Sequence, residues 1–224
     1  MIKIIVMCMF LITGTLSNAQ TNISNANTDR YNYLMVKHDY ILSYNDSLHH
    51  ANWVGWIMNK SHVGGSPRQN DFSIDKTLPF GFIRITPNDY NGSNYDRGHL
   101  CNSQAWTDNI QDNQETFLMT NMIPQSPKCN RGTWKSLEDY CQVLASTGNS
   151  LKIYAGGYLS KGYISKNKIS IPAFCWKVIF ITGLIKPICV IMPNDENIDS
   201  DWKKYEKDID YIENITHYKF KAGS

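Results

Sequence analysis

Residues 95–138 constrain this chain most strongly, because two motifs at the ends of this stretch carry side chains suited to a single reaction site. Tyr-Asp-Arg-Gly-His begins the stretch at residues 95–99, after a turn-rich run. Asn-Arg-Gly-Thr-Trp-Lys-Ser-Leu-Glu ends it at residues 130–138 and is typical of the start of a helix. A histidine base, a neighbouring cation and hard oxygen ligands are what metal-assisted hydrolysis of a phosphodiester requires.

The first nineteen residues have the pattern of a signal peptide. A short basic start at residues 1–3 precedes an apolar run at residues 4–12, and Ser17-Asn18-Ala19 forms a small-x-small cleavage site. The apolar run is short for a bilayer span, so an uncleaved anchor is the weaker alternative. We therefore expect an exported protein, periplasmic or extracellular, whose mature form does not contact the membrane.

The remaining chain predicts one domain. Residues 20–32 are polar and Asn-rich, typical of a flexible leader, and residues 33–224 are long enough for one well-buried core. The 22 basic and 20 acidic residues give a net charge of +2, so composition alone does not indicate a nucleic-acid-binding protein. A local basic cleft is compatible with this balance. Nothing in the sequence indicates an obligate protein partner.

Strand-like segments dominate both halves. Residues 40–44 and 53–58 predict an antiparallel hairpin, with His49 and His50 as solvated histidines beside its turn. An apolar strand is predicted over residues 117–123, interrupted by Asn121. Further strands are predicted at residues 151–157, 169–171, 174–181 and 188–192, with turns at Pro172, Gly183 and Pro187.

Two helical regions complete the pattern. Asn130 is a plausible N-cap of a helix whose apolar stripe runs from Trp134 to Leu144 and which ends near Gly148. Residues 199–215 predict a terminal helix or helix pair. The fold class is therefore α+β, with a central, mostly antiparallel sheet flanked by helices.

The motifs resemble those of a known family. Asp-Arg-Gly-His at residues 96–99, Thr-Asn-Met-Ile-Pro-Gln at 120–125 and Asn-x-Gly-x-Trp-x-x-Leu-Glu at 130–138 resemble the DNA/RNA non-specific endonucleases. That family includes the Serratia-type nuclease and mitochondrial endonuclease G. The resemblance covers roughly residues 33–220 and implies a ββα-metal element at the edge of a cleft. It also implies DNA and RNA as substrates, cut to leave 5′-phosphate ends.

The resemblance assigns roles to six residues. His99 would be the general base and Asn130 the protein ligand of the metal ion. Arg97 and Arg68 would lie against the phosphate, the latter on the family pattern Arg-x-x-x-Phe-x-x-Asp at residues 68–75. Asn121 and Glu138 would orient waters. On a regular helix, Glu138 lies about 80° around and about 12 Å along from Asn130, which favours a role through a metal-bound water.

The expected ion is Mg²⁺, with Mn²⁺ or another hard divalent ion as alternatives, because the available ligands are oxygens and the sequence has no thiolate cluster. Two rival functions keep the same fold. A non-catalytic nucleic-acid-binding relative would lack the base or the ligand, whereas both His99 and Asn130 are present. A phosphodiesterase acting on another substrate would keep the chemistry and change the pocket.

One segment departs from the family pattern, and the state of the cysteines is not fixed by it. After His99, many members read Pro-Ser-Ala-Asp-Arg, whereas residues 102–106 read Asn-Ser-Gln-Ala-Trp, so we expect Trp106 to alter substrate grip or stability. Five cysteines follow the predicted signal. Cys175 with Cys189 is the first candidate disulfide and Cys101 with Cys129 the alternative, while packing thiols remain the third reading.

Overall fold

The computed structural model describes residues 21–22 and 29–221. The predicted signal peptide, residues 1–19, and most of the predicted leader lie outside these residues. No helix within the described ranges is both long and apolar enough to cross a membrane.

A six-stranded antiparallel sheet forms the centre of the fold, in the order β2-β3-β4-β7-β8-β9. Its strands alternate inward and outward side chains, as β-branched and aromatic sequences do on a pleated sheet. The strands are β2 (Tyr33–Val36), β3 (Tyr40–Asn45), β4 (His50–Met58), β7 (Leu151–Ile164), β8 (Ile169–Ile181) and β9 (Ile188–Pro193). Two short pairs flank it: β1 (Thr21–Asn22) with β10 (Tyr218–Lys219), and β5 (Asp96–His99) with β6 (Met122–Gln125).

Both faces of the sheet are covered. In β8, Cys175 and Ile179 belong to the larger core, while Trp176 and Val178 belong to a second core on the opposite face. The larger core contains the buried side of α2 (Lys135–Ser146). The second core contains residues of α3 (Ile209–Thr216). A third helix, α1 (Ile110–Glu115), precedes β6. This mixed architecture confirms the predicted fold class.

The ββα element is formed by the two motif strands and the helix that follows them. β5 pairs antiparallel with β6, so that His99 lies opposite Met122. The chain then passes through a π-helical turn, Cys129–Trp134, directly into α2. Trp134 and Leu137 are fully buried, as the predicted apolar stripe requires.

Several predicted boundaries are wrong for local reasons. Met119–Asn121 form a 3-10 turn, and the strand begins only at Met122. Asn130 is not the N-cap, because its N–H already donates to the carbonyl of Ser126 at 2.9 Å. The helix starts after Ser126, with Pro127 at a position where a missing N–H is harmless.

The predicted turn at Pro172 is also wrong, because β8 runs through it without a break. Pro172 pairs with Ser160 of β7, while pairing with β9 reaches only to Phe174. Pro172 therefore lies where β8 is an edge strand, and an edge tolerates a missing N–H. The C-terminal region follows the helix-pair alternative, with a 3-10 turn at Trp202–Tyr205 before α3. The hairpin of β3 and β4 and the turn at Gly183 are confirmed.

One predicted solvated histidine is buried. His50 is 3% exposed, and its Nδ1 lies 2.8 Å from the carbonyl oxygen of Ala51. Burial lowers the pKa of His50 to about 4, so the ring is neutral at neutral pH. The prediction failed because β4 begins at His50 itself.

Both predicted disulfides are contradicted, since all five cysteines of the described chain are buried free thiols. Cys175 lies opposite Met192, whereas Cys189 lies opposite Val178, so the two are out of register and in different cores. The sulfur of Cys175 instead accepts from Nε2 of Gln125 at 3.4 Å and lies beside the thiol of Cys129.

The glycine of the Asp-Arg-Gly-His motif is a packing requirement. A Cβ on Gly98 would lie 2.6 Å from Cδ of Gln125, a fully buried side chain whose Nε2 also contacts Cys175. We expect Gly98→Ala to lower the free energy of unfolding by about 1–3 kcal/mol, measured by urea denaturation.

Gly132→Ala is the matched control, because nothing lies within 4 Å of the added carbon there. Adding Gln125→Ala to Gly98→Ala should recover part of the loss, since the clash is then removed. Equal losses for the Gly98 and Gly132 variants would contradict this role of Gly98.

Candidate active site

A polar cleft of about 220 Å³ lies where β5, the π-helical turn and the start of α2 meet. Five of the six predicted site residues line it, and Asn121 does not. Four cationic side chains line the cleft, against the single carboxylate of Glu138. The lining residues are Arg68, Arg97, His99, Asn102, Ser103, Gln104, Asn130, Arg131, Lys135 and Glu138.

The amide of Asn130 is fixed in one orientation. Its Nδ2 donates to Oδ2 of Asp96 at 2.9 Å. Asp96 is held in turn by Arg131, whose Nε and terminal nitrogen lie 2.8 and 2.6 Å from the two carboxylate oxygens. These contacts lower the pKa of Asp96 against the opposing effect of its burial, so the carboxylate stays ionised. With Nδ2 engaged, the oxygen Oδ1 is the group that Asn130 offers as a ligand.

The π-helical turn changes the predicted relation between Asn130 and Glu138. A π turn contains one residue more than an α-helical turn. The eight residue steps from Asn130 to Glu138 therefore give about the same rotation as seven steps of a regular α-helix. Seven positions amount to about 700°, which is only about 20° short of two full turns. Both side chains therefore line the same cleft, closer in direction than a regular helix would place them.

His99 ends β5 and its ring is packed between aromatic side chains. The ring centroids of Phe117 and Phe72 lie 4.8 and 5.6 Å away. Burial, reinforced by the positive charge of Arg68, lowers the pKa of His99 to about 3. The buried Nε2 has no hydrogen-bond partner among the described residues. His99 is therefore neutral at physiological pH and able to accept a proton.

Two arginines lie beside His99, each stacked on a phenylalanine. The guanidinium carbon of Arg68 is 4.9 Å from the centroid of Phe117, and that of Arg97 is 4.4 Å from the centroid of Phe72. Arg68 also donates to Oγ of Ser103 at 2.8 Å. The same two aromatic rings therefore pack against His99 and hold the two arginines beside it.

Glu138 is paired with a buried lysine from the sheet. Nζ of Lys177 lies 3.5 Å from Oε1 of Glu138, and the lysine side chain is only 1% exposed. The same Nζ lies 4.0 Å from the ring centroid of Trp134. Burial raises the pKa of Glu138, while Lys177 acts in the opposite direction. Glu138 thus lies between the cleft and a cation on the sheet.

Asn121 does not meet the cleft, which corrects the predicted role in orienting waters. Its side chain is fully buried, with Nδ2 donating to the carbonyls of Cys101 and Thr116 at 2.8 Å. Its Oδ1 accepts from the N–H of Cys101 at 2.9 Å. These bonds hold the chain that leaves β5, so Asn121 supports the position of His99 without contacting solvent.

Three contributors were missed in the sequence. Asp96 belongs to the same motif as His99, and its position beside Arg97 was the available signal. Ser103 lies in the divergent segment, and its contact with Arg68 gives that segment a place in the cleft. Lys177 had no local signal, because its partner Glu138 is 39 residues away in sequence.

Trp106 is 4% exposed, and its ring centroid is 4.1 Å from that of His62, so it is a packing residue.

The cleft fits a hard divalent ion. The oriented Oδ1 of Asn130 and the carboxylate of Glu138 are oxygen donors, and no thiol lines the cleft among the described residues. The surrounding arginines leave room for an anionic substrate to supply further oxygens. Asn130 is the residue that would hold the ion.

The fold and the cleft together define a ββα-type hydrolase centre on an antiparallel sheet. The chain belongs to the DNA/RNA non-specific endonuclease family, whose model matches residues 17–224. A nuclease of Nostoc sp. is 46% identical over 203 residues, covering 86% of this chain and 74% of that protein.

More distant relatives match shorter shares of their own length. Human mitochondrial endonuclease G is 28% identical, over 72% of this chain and 60% of that protein. The Serratia marcescens nuclease is 29% identical, over 68% of this chain and 60% of that protein. A chain in the crystal structure of the EndoG/EndoGI complex matches with a TM-score of 0.74 and 24% identity, covering 84% of each chain, which shows the shared fold.

Replacing Lys177 should lower the free energy of unfolding, because the buried carboxylate of Glu138 then lacks a positive partner. In Lys177→Met, the carboxylate loses its counter-charge, and breaking such a pair costs up to about 3–5 kcal/mol. The pKa of Glu138 in the folded protein then rises further. A carboxyl group whose pKa is higher in the folded than in the unfolded state makes the protein less stable as pH increases. We therefore expect urea denaturation to show that the free energy of unfolding of Lys177→Met is lower than that of wild type. The difference should be small below the pKa of Glu138 in the unfolded chain and should grow toward neutral pH.

The double variant Lys177→Met with Glu138→Gln is the control. It removes the ionisable group, so the pH-dependent part of the deficit should disappear. A deficit independent of pH, unchanged in the double variant, would show that Lys177 acts by packing against Trp134 alone.

Proposed function

We propose that this chain is an exported, metal-dependent endonuclease that hydrolyses phosphodiester bonds of DNA and RNA with little sequence specificity. Residues 33–224 would form its catalytic domain. One observation carries the proposal: the cleft combines a neutral His99, an oriented amide oxygen on Asn130 and four cationic side chains. Membership of the endonuclease family supports the reaction class.

His99 acts as the general base that removes a proton from the attacking water. Burial keeps His99 neutral in the free protein, and the same lowered pKa makes the ring a weak base. The negative charge of a bound phosphate would raise that pKa toward the working range. Asn130 carries the ion, for which Mg²⁺ is our assignment and Mn²⁺ the alternative. When bound, such an ion stabilises negative charge on the phosphate and on the departing 3′-oxygen.

Arg68 and Arg97 bind the phosphate and stabilise the charge that develops on it in the transition state. Both are held by aromatic rings, so little rearrangement is needed when substrate binds. Contacts to phosphate carry no base information, which accounts for cleavage without sequence preference. Glu138, held beside Lys177, would orient a water molecule in the cleft.

The test is nicking of supercoiled plasmid and hydrolysis of single-stranded RNA, each with Mg²⁺ and with chelator. His99→Ala should lower the rate about 10²–10⁴-fold at every Mg²⁺ concentration, because it removes the base. Asn130→Ala should regain activity at high Mg²⁺, because it weakens ion binding. Glu138→Ala should be the milder variant, and exposed Asn214→Ala should match wild type.

Four outcomes would contradict the proposal or one of its residue assignments. A folded His99→Ala variant within tenfold of wild type would remove the base assignment. Glu138→Ala more damaging than Asn130→Ala would reverse the ligand assignment. Binding of DNA without cleavage would indicate a non-catalytic relative, and cleavage of a small phosphodiester but of neither nucleic acid would indicate another substrate.

A further inference from the structure

A second group of potential metal ligands lies outside the cleft, where the turn between β2 and β3 meets α1. One ligand atom from each of His38, Asp39 and Asp112 lies within 4.8 Å of the other two. Nδ1 of His38 lies 2.9 Å from Oδ1 of Asp39 and 3.3 Å from Oδ1 of Asp112. None of the three lines the catalytic cleft.

Within the part of the chain that the structure describes, His38 is the one basic side chain paired with the carboxylates of this group. Glu115 lies beside them, its Oε2 accepting from the backbone N–H of His38 at 3.0 Å. Lys37 is the adjacent cation in sequence, but its Nζ pairs with Asp75 at 2.6 Å. Three carboxylates, those of Asp39, Asp112 and Glu115, therefore share one histidine.

One of these carboxylates also has an oxygen without a partner. The side chain of Asp39 is only 4% exposed, and its Oδ2 is buried with no hydrogen bond among the described residues. Burial, with contributions from Asp112 and Glu115, raises the pKa of Asp39 to about 6. An enclosed carboxylate oxygen with no donor is costly unless a cation compensates it.

We propose that His38, Asp39 and Asp112 bind a divalent cation of the zinc class. The ion would lie between Nδ1 of His38 and the two aspartates, whose nearest oxygens are 2.9 and 3.3 Å from that nitrogen. Zinc bonds of about 2.0–2.2 Å to nitrogen and oxygen set ligand separations of about 3.3–3.6 Å in a tetrahedron. The separations of 2.9 and 3.3 Å from Nδ1 of His38 are close to that range, and the third, between the two carboxylates, is no longer than 4.8 Å and would shorten when the ion binds.

The donor set selects the ion. One imidazole nitrogen with two carboxylates suits Zn²⁺, whereas Mg²⁺ and Ca²⁺ favour all-oxygen shells. The side chain of His38 is 79% exposed, so an ion can enter from solvent and water can complete its shell. Mg²⁺ is therefore not expected to displace Zn²⁺ from this position.

Bound zinc would stabilise the region that supports the cleft. The ion joins the β2–β3 turn to α1, and the next residue of α1, Asn113, donates to the carbonyls of Ser103 and Trp106 at 2.8 Å. Asn113 also accepts from the N–H of Gln69 at 3.0 Å. The site is thus structural, and its effect should appear as stability without any requirement for catalysis.

Equilibrium dialysis of the full chain against Zn²⁺, with excess Mg²⁺ present, tests the proposal through the zinc content by atomic emission. Wild type and Asn130→Ala should each hold one equivalent. Asp39→Asn and Asp112→Asn should each weaken binding at least tenfold. Asp210→Asn, which changes an exposed carboxylate on α3, is the matched control and should bind as wild type does.

Thermal unfolding supplies an independent readout. At free Zn²⁺ a hundred times the Kd, Tm should rise by about 5–10 °C in wild type and not in Asp39→Asn. Without zinc, Asp39→Asn should unfold at or above the wild-type temperature, because the uncompensated charge is gone. Less than one-fifth equivalent bound by wild type, or zinc retained in both aspartate variants and lost in Asn130→Ala, would overturn the assignment.

Discussion

The buried indole of Trp134 joins the three parts on which the cleft depends. Its Nε1 donates to the carbonyl of His99 at 3.3 Å, which fixes the end of β5 against the helix. Its ring lies 4.0 Å from Nζ of Lys177, which brings the sheet to the same point. Lys177 then pairs with Glu138, one turn further along α2. The side chain of Trp134 thus contacts the strand, the helix and the sheet, and the cleft lies where these three elements meet.

Within this arrangement, burial lowers the pKa of His99 and raises the pKa of Glu138. His99 loses its charged form because it is packed against two aromatic rings and near Arg68. Glu138 is desolvated too, but Lys177 counteracts the rise in its pKa. The cleft therefore keeps His99 neutral beside positive guanidinium groups. An ordinary surface histidine would be partly protonated near neutral pH.

The sequence predicted the contents of the cleft better than its geometry. The order and spacing of the motifs identified His99, Arg97, Arg68, Asn130 and Glu138, all of which line one cleft. The apolar stripe did not reveal the π-helical turn. A π-helical turn differs from an α-helical turn by a single residue, and the spacing of the apolar residues is compatible with both. Asn121 was misassigned since an amide in an apolar segment fits both a water-binding and a backbone-binding role. Long-range pairs such as Lys177 with Glu138 depend on strand register, which local patterns do not fix.

A chain of contacts connects the cleft with the distant side of the domain. Arg68 donates to Ser103, whose carbonyl accepts from Asn113 on α1. The opposite side of α1 carries Asp112 and Glu115, which face His38 on the β2–β3 turn. The β2–β3 turn and Ser103, the residue that contacts Arg68, are thus connected through α1 by a continuous series of contacts. The segment that departs from the family pattern, residues 102–106, lies on this path, because Ser103 contacts Arg68 and the carbonyl of Trp106 accepts from Asn113 on α1.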